Sequence, residues 1–325
     1  MTTSELYKKT IKFTLMRALS GLIGMALIVG LPIAAYFLTG SMEDGARIGV
    51  CVGTFVVACV IVGLLTHFKG YTYRAGQIAV VAQSIVSGEL PQDPYTEGKA
   101  QIKKRFGTVA VFFAIESVIN HIVSQISNAV TRVTGTVART TRSDAANYVG
   151  AAISIFVSAV TAFLCACCMG WVFVHPDQNP WRAACDGAIV YFKNWKDLLK
   201  NAGKVILMAL ISLIVIGGLL FGLTYLVLDN MPAINAMAQD LTAFCAEEEL
   251  DIALSPDTWK LIFEGVAAFI LWIVVHSTFV DPFIMISVMN RYMKAGIANP
   301  PVRSEDKKLA DMSKAYKKAI ANAQA

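Results

Sequence analysis

Charge is scarce in this sequence. Asp, Glu, Lys and Arg make up 16% of its 325 residues, against 56% hydrophobic residues. An average soluble domain carries about 25% charged residues, so a wholly soluble chain is a poor reading. Motifs for chemistry are lacking too: there is no glycine-rich phosphate loop, no H-E-x-x-H pair and no G-x-S-x-G elbow, and no enzyme activity is expected. The basic residues are spread through short loops instead of forming one block, which excludes a nucleic-acid surface. Cysteine is present seven times, but five of these positions fall inside apolar runs, which argues against a disulfide framework. Residues 165–168, "CACC", have the look of a metal cluster. Consecutive helical residues point apart, whereas zinc needs four converging ligands, so packing is the expected role and no metal or other cofactor is implied.

What the sequence does hold is apolar length. The runs Leu15–Leu38, Ile48–Phe68, Tyr148–Val174, Val205–Leu228 and Leu261–Met289 each reach the roughly 20 residues that a helix needs to cross a bilayer core. An all-α, polytopic integral membrane protein is expected. The first run follows Lys8, Lys9, Lys12 and Arg17 but is longer than a cleavable h-region, and reads as an uncleaved signal anchor. This gives a cytoplasmic N-terminus over 1–14, a single helical membrane domain over 15–295 and a basic cytoplasmic tail over 296–325.

The charges then count the crossings, because basic loops stay on the cytoplasmic side. The stretch from Asp229 to Trp259 has no Lys or Arg, while the tail from Arg291 has eight. Five crossings would place the tail outside, so a sixth is expected over 106–126, after Lys103, Lys104 and Arg105. With six helices in the plasma (inner) membrane and both termini cytoplasmic, 23 basic residues fall inside and five outside. The loop Arg132–Asp144 would be external. The alternative is five crossings plus a long interfacial helix: from Ile115 onward, Val118, Ile119, Ile122, Val123, Ile126 and Val130 fill one helical face and the polar residues the other. Residues 181–200 and, more weakly, 77–86 have the amphipathic pattern of in-plane helices, and the tail carries Leu309, Met312, Tyr316 and Ile320 at helical spacing, suited to docking on lipid or on a partner.

Polar residues inside apolar runs are the candidates for function, since lipid cannot face them. Glu116, Asn120 and Ser124 form an i+4 stripe, with His121 on a neighbouring one. The last run adds His276, Ser277 and Asp281, with Pro282 freeing a carbonyl beside the Asp and offering a break in the helix. Glu264, one turn into that run, is explained by the helix dipole alone.

Three segments carry a family resemblance: "KKRFGTVAVFF" opening a span, "ACDGAIVYFKNWKDLLKNAGKV" before the next, and "SVMNRYMKA" closing the last. Across 103–295 their order resembles the C-terminal half of the choline transporter-like family. The resemblance implies an organic-cation transporter with an aromatic-lined site. Two functional readings stand side by side. One is a transporter or channel-like protein with a hydrated path for a small or organic cation. The other is a non-transporting scaffold or subunit of a larger membrane complex. Either would contact membrane lipids and allows homo-oligomers or membrane-protein partners.

Overall fold

The computed structural model describes residues 1–39, 44–107, 111, 113–125, 163–247 and 254–324. Helix is the only regular structure among them. Two compact units form, Met1–Ala202 with Phe283–Ala325, and Gly203–Pro282.

The first unit opens with α1, Thr3–Leu38, started by a capping box in which Thr2 and Glu5 satisfy each other's backbone N–H. Pro32 lies within α1 without ending it. Helix α2, Asp44–Ser87, packs along α1. At its end Gly88 takes a positive φ, as does Gly107 after α3, Pro94–Phe106. Asp93 caps α3 by accepting from the N–H groups of Tyr95 and Thr96. Helices α2 and α3 meet so closely that a Cβ on Gly98 would lie 2.6 Å from the Gly76 carbonyl oxygen. Further helix is described over 113–125 (α4) and over Phe163–Val174 (α5). Next come α6, Pro180–Ser212, and after the second unit α10, Asp281–Ala298, α11, Glu305–Met312, and α12, Lys314–Gln324.

One hydrophobic core joins these elements. Leu6, Ala79, Ile119, Ile122, Cys167, Val172, Ile189, Met289, Tyr292, Leu309 and Tyr316 all belong to it. The stretch 77–86, expected as an in-plane helix, is the last part of α2, with Gln77, Val80, Val81 and Ser84 all buried. Residues 181–200 begin α6 and bury Ala184, Cys185, Ala188 and Ile189 in the same core. Cys165, Cys167 and Cys168 pack there as well. The tail helices are docked on it, with the α11–α12 lysines 307, 308, 314, 317 and 318 facing outward. Polar bonds fix the tail. Arg182 donates twice to Asp306 at 3.0 and 3.1 Å, the Tyr316 hydroxyl donates to Asp306 at 2.6 Å, and the Ser313 hydroxyl donates to Gln125 at 2.6 Å. Burial raises the Asp186 carboxyl above its ordinary value, with Arg182, 2.6 Å away, pulling it back.

The second unit holds α7, Gly218–Leu228, α8, Pro232–Glu247, and α9, Pro256–Val275. Among the described residues three helical stretches are long and apolar enough to cross a membrane: Thr3–Pro32, Leu207–Leu228 and Pro256–Ala298. Shorter apolar helices cover Val52–Leu64 and Phe163–Val174. Of the run expected from Tyr148, only the last of these is described, and the loop Arg132–Asp144 lies outside the described residues.

Exposure separates these stretches. Most large hydrophobic side chains that face outward fall between Leu15 and Leu38, Val50 and Leu64, Leu207 and Val227, and Leu261 and Phe279. Helix α5 is the opposite, buried from Leu164 to Phe173.

Candidate functional site

In the second unit two helices each widen once into a π-helical turn. One turn spans Leu213–Gly217, between α6 and α7, and the other His276–Val280, between α9 and α10. Such turns inside long helices are often found at functional positions. The second has a local cause: Pro282 lacks an N–H and its ring crowds the carbonyl four residues back, and a wider turn gives it room. The expected break at Asp281–Pro282 is thus absent. The backbone continues through it, with the Asp281 N–H bonded to the carbonyl of His276.

Widening changes which residues share a face. On a regular helix, positions five apart diverge by about 140° at 100° per residue. With an i+5 turn they stack, and His276 Nε2 comes to 3.2 Å from Asp281 Oδ1. Lys260, Glu264, Ala268, Trp272, His276 and Asp281 then form one stripe along α9 and its continuation. The facing helix answers it. Thr224 donates to the Glu264 carbonyl at 3.2 Å, and the Trp272 ring lies against Gly217, where an added Cβ would sit 3.6 Å from it. At the far end Ser212 is 2.9 Å from His276 Nδ1, while the Trp272 N–H donates to the same hydroxyl at 3.2 Å.

One proton assignment satisfies every partner. The Trp272 indole donates to Ser212, the Ser212 hydroxyl donates to His276 Nδ1, and His276 Nε2–H donates to Asp281. The chain crosses from one helix to the other and ends on a carboxylate whose side chain is 38% exposed. The Nε2 proton can pass to Asp281 as Nδ1 takes the Ser212 proton, and the Ser212 oxygen then has to be reprotonated from water, because the Trp272 indole N–H donates a hydrogen bond and does not ionise. The same connectivity serves serine hydrolases, where the serine must also meet substrate. Here Ser212 is 5% exposed and already accepts from Trp272, so proton relay is the chemistry the arrangement supports. At the opposite end of the stripe Lys260 pairs with Asp229 at 2.5 Å. Glu264, one turn further in, is 1% exposed, and its Oε1 has no partner.

The structure thus brings together two of the residues expected from the sequence, His276 and Asp281. Ser277 takes no part, its hydroxyl donating locally to the Val274 carbonyl at 3.2 Å. Glu116, Asn120, His121 and Ser124 belong to the other unit, on α4. Glu116 is half-buried and the other three are exposed. His121 Nδ1 donates to the Ser117 carbonyl at 2.7 Å. Ser212 and Trp272 were not singled out in the sequence. A serine within an apolar run is unremarkable alone, although the i+4 spacing of Lys260, Glu264, Ala268, Trp272 and His276 is readable. No family model, curated protein or solved structure matches this chain.

Proposed function

We propose that the chain is a four-crossing membrane protein whose second hairpin conducts protons through Ser212, His276 and Asp281, alone or coupled to another substrate. The relay between the two π-helical turns is the observation that carries this reading. Intramembrane ionisable groups are expensive unless they serve a path, and this set is hydrogen-bonded from end to end.

Four crossings, in place of the six expected from run length and charge together, fit both surface and charge. The four outward-facing apolar stretches supply the spans; three are close to the length a bilayer needs, and the helix over Val52–Leu64 is shorter. Only Arg47 and Lys260 of the 28 basic residues then fall outside, fewer than with six crossings. Helices α4 and α5 take the role of core helices. They share one core with Leu6 and the tail, and Gln125 at the end of α4 binds Ser313 of the tail. A crossing over 106–126 would put those two residues on opposite sides. The resulting orientation places Asp229, Lys260 and Glu264 towards the outer face and His276 and Asp281 towards the cytoplasm.

Purified protein in liposomes loaded with a pH-sensitive dye tests the function. Wild type should carry protons down an imposed potential, and His276→Gln should lower that flux about tenfold or more with an unchanged melting temperature. Wild-type flux no greater than that of empty liposomes would favour the scaffold reading.

A further inference from the structure

Away from the relay, Lys12 of α1 and Lys99 of α3 share one aromatic ring. The Lys12 Nζ lies 4.9 Å from the centroid of Tyr95, and the Lys99 Nζ lies 4.2 Å from it and 6.0 Å from that of Tyr73. The close crossing of α2 and α3 at Gly76 and Gly98 brings them there. Lys99 follows Gly98, and Lys12 precedes Phe13, whose ring lies against both glycines and 5.1 Å from Tyr95.

Tyr95 is buried, whereas both lysines are exposed. Each ammonium is drawn to the ring, but a second ammonium is a poor neighbour for the first. Among the described residues neither lysine forms an ion pair. Asp93 feels the Lys12 charge, yet its carboxylate is committed to the cap of α3, accepting from the Tyr95 and Thr96 N–H groups and from the Thr96 hydroxyl. Glu97 accepts from Gln101 at 3.0 Å. Two cations are thus gathered on one exposed edge with no carboxylate bonded to either.

Helix α1 supplies a second observation. At 100° per residue Lys8, Lys12, Leu15, Leu19 and Leu22 lie on one face, and the three leucines are 51%, 51% and 59% exposed. The face offered to acyl chains therefore runs directly into lysines. In the orientation proposed above this is the cytoplasmic interface, where anionic headgroups attract basic side chains.

We infer that Lys12, Lys99 and the Tyr95 ring form a site for the headgroup of an anionic phospholipid, whose acyl chains lie along Leu15, Leu19 and Leu22. A zwitterionic lipid is disfavoured, because it brings its own ammonium towards the two lysines. The inference rests on α1 being one of the proposed crossings.

Native mass spectrometry of the purified full-length protein in detergent tests the site, by titration with phosphatidylglycerol or with phosphatidylcholine of the same acyl chains. Wild type should bind its first phosphatidylglycerol about tenfold or more tighter than its first phosphatidylcholine. Lys12→Gln combined with Lys99→Gln should abolish that preference without lowering the melting temperature, since both side chains are exposed. Lys12→Arg with Lys99→Arg should keep it. Lys317→Gln with Lys318→Gln removes the same charge from the tail and should leave the preference intact. Equal affinities for the two lipids in wild type would overturn the inference. So would equal loss in the two glutamine pairs, which would make net charge the cause, or displacement of the bound lipid by glycerol 1-phosphate, which would mark a site for free phosphate. The crossing of α1 is read separately, from labelling of Thr39→Cys by an impermeant thiol reagent on intact cells. Lack of labelling removes the crossing itself, whereas labelling without a lipid preference removes only the site.

Discussion

Gly98 shows how a single atom governs the crossing of α2 and α3. A Cβ there would meet both the Gly76 carbonyl oxygen and, at 2.7 Å, the Phe13 ring. Backbone cannot yield as a flexible side chain does, so Gly98→Ala should destabilise the first unit by about 1–3 kcal/mol, read as a lower melting temperature. An unchanged melting temperature would mean that the two helices have slack. At the relay, residue identity matters more than volume. His276→Gln retains a donor and an acceptor but cannot carry a proton onward, so the flux loss expected for it should come without a loss of stability. His276 and Asp281 could each be picked out from the sequence as polar residues in an apolar run. Their pairing could not, because a period of 3.6 sets positions five apart on different faces and only the π-helical turn stacks them.

Helix ends and helix docking make separate predictions. Asp93 caps α3, and the bond from the Thr96 hydroxyl, helped by the Thr96 backbone N–H, holds its carboxyl below the ordinary value. A lowered folded value means that the cap's contribution is complete above the ordinary carboxylate range and is lost as pH falls through the lowered value. Hydrogen exchange in the first turn of α3 should therefore accelerate in acid, beyond the intrinsic change, and Asp93→Ala should show the same fraying already at neutral pH. Equal protection in the variant would remove the capping role. The tail depends on Asp306, which takes two bonds from Arg182 and one from Tyr316. Asp306→Asn should cost about 1–3 kcal/mol by removing one of the two carboxylates that hold Arg182, and should expose α11 and α12 to limited proteolysis while the rest of the chain stays intact. A tail as resistant as wild type would show that the apolar contacts of Leu309 and Tyr316 suffice. The amphipathic spacing of the tail was readable from Leu309, Met312, Tyr316 and Ile320. What those residues pack on was not, since the partner surface is assembled from α4, α5 and α6.

Over the whole chain, run length identified the apolar segments without telling which of them face outward. Tyr148–Val174 and Leu15–Leu38 are equally apolar in sequence, yet the described part of the former is buried while the latter faces outward. Hydropathy reports that a segment avoids water and is silent on whether lipid or protein replaces it. Charge placement called for a sixth crossing, whereas the proposed four-crossing topology keeps Arg132, Arg139 and Arg142 with the other basic loops. Side of the membrane is therefore the most direct test of the four-crossing account on which the direction of the relay rests. Two single-cysteine additions, Thr140→Cys and Gln239→Cys, would be treated with an impermeant thiol reagent on intact cells and again after permeabilisation, with the parent chain as the blank. The account predicts that Gln239→Cys labels in intact cells and that Thr140→Cys labels only once the membrane is opened. Labelling of Thr140→Cys in intact cells would contradict it and restore a crossing over 106–126.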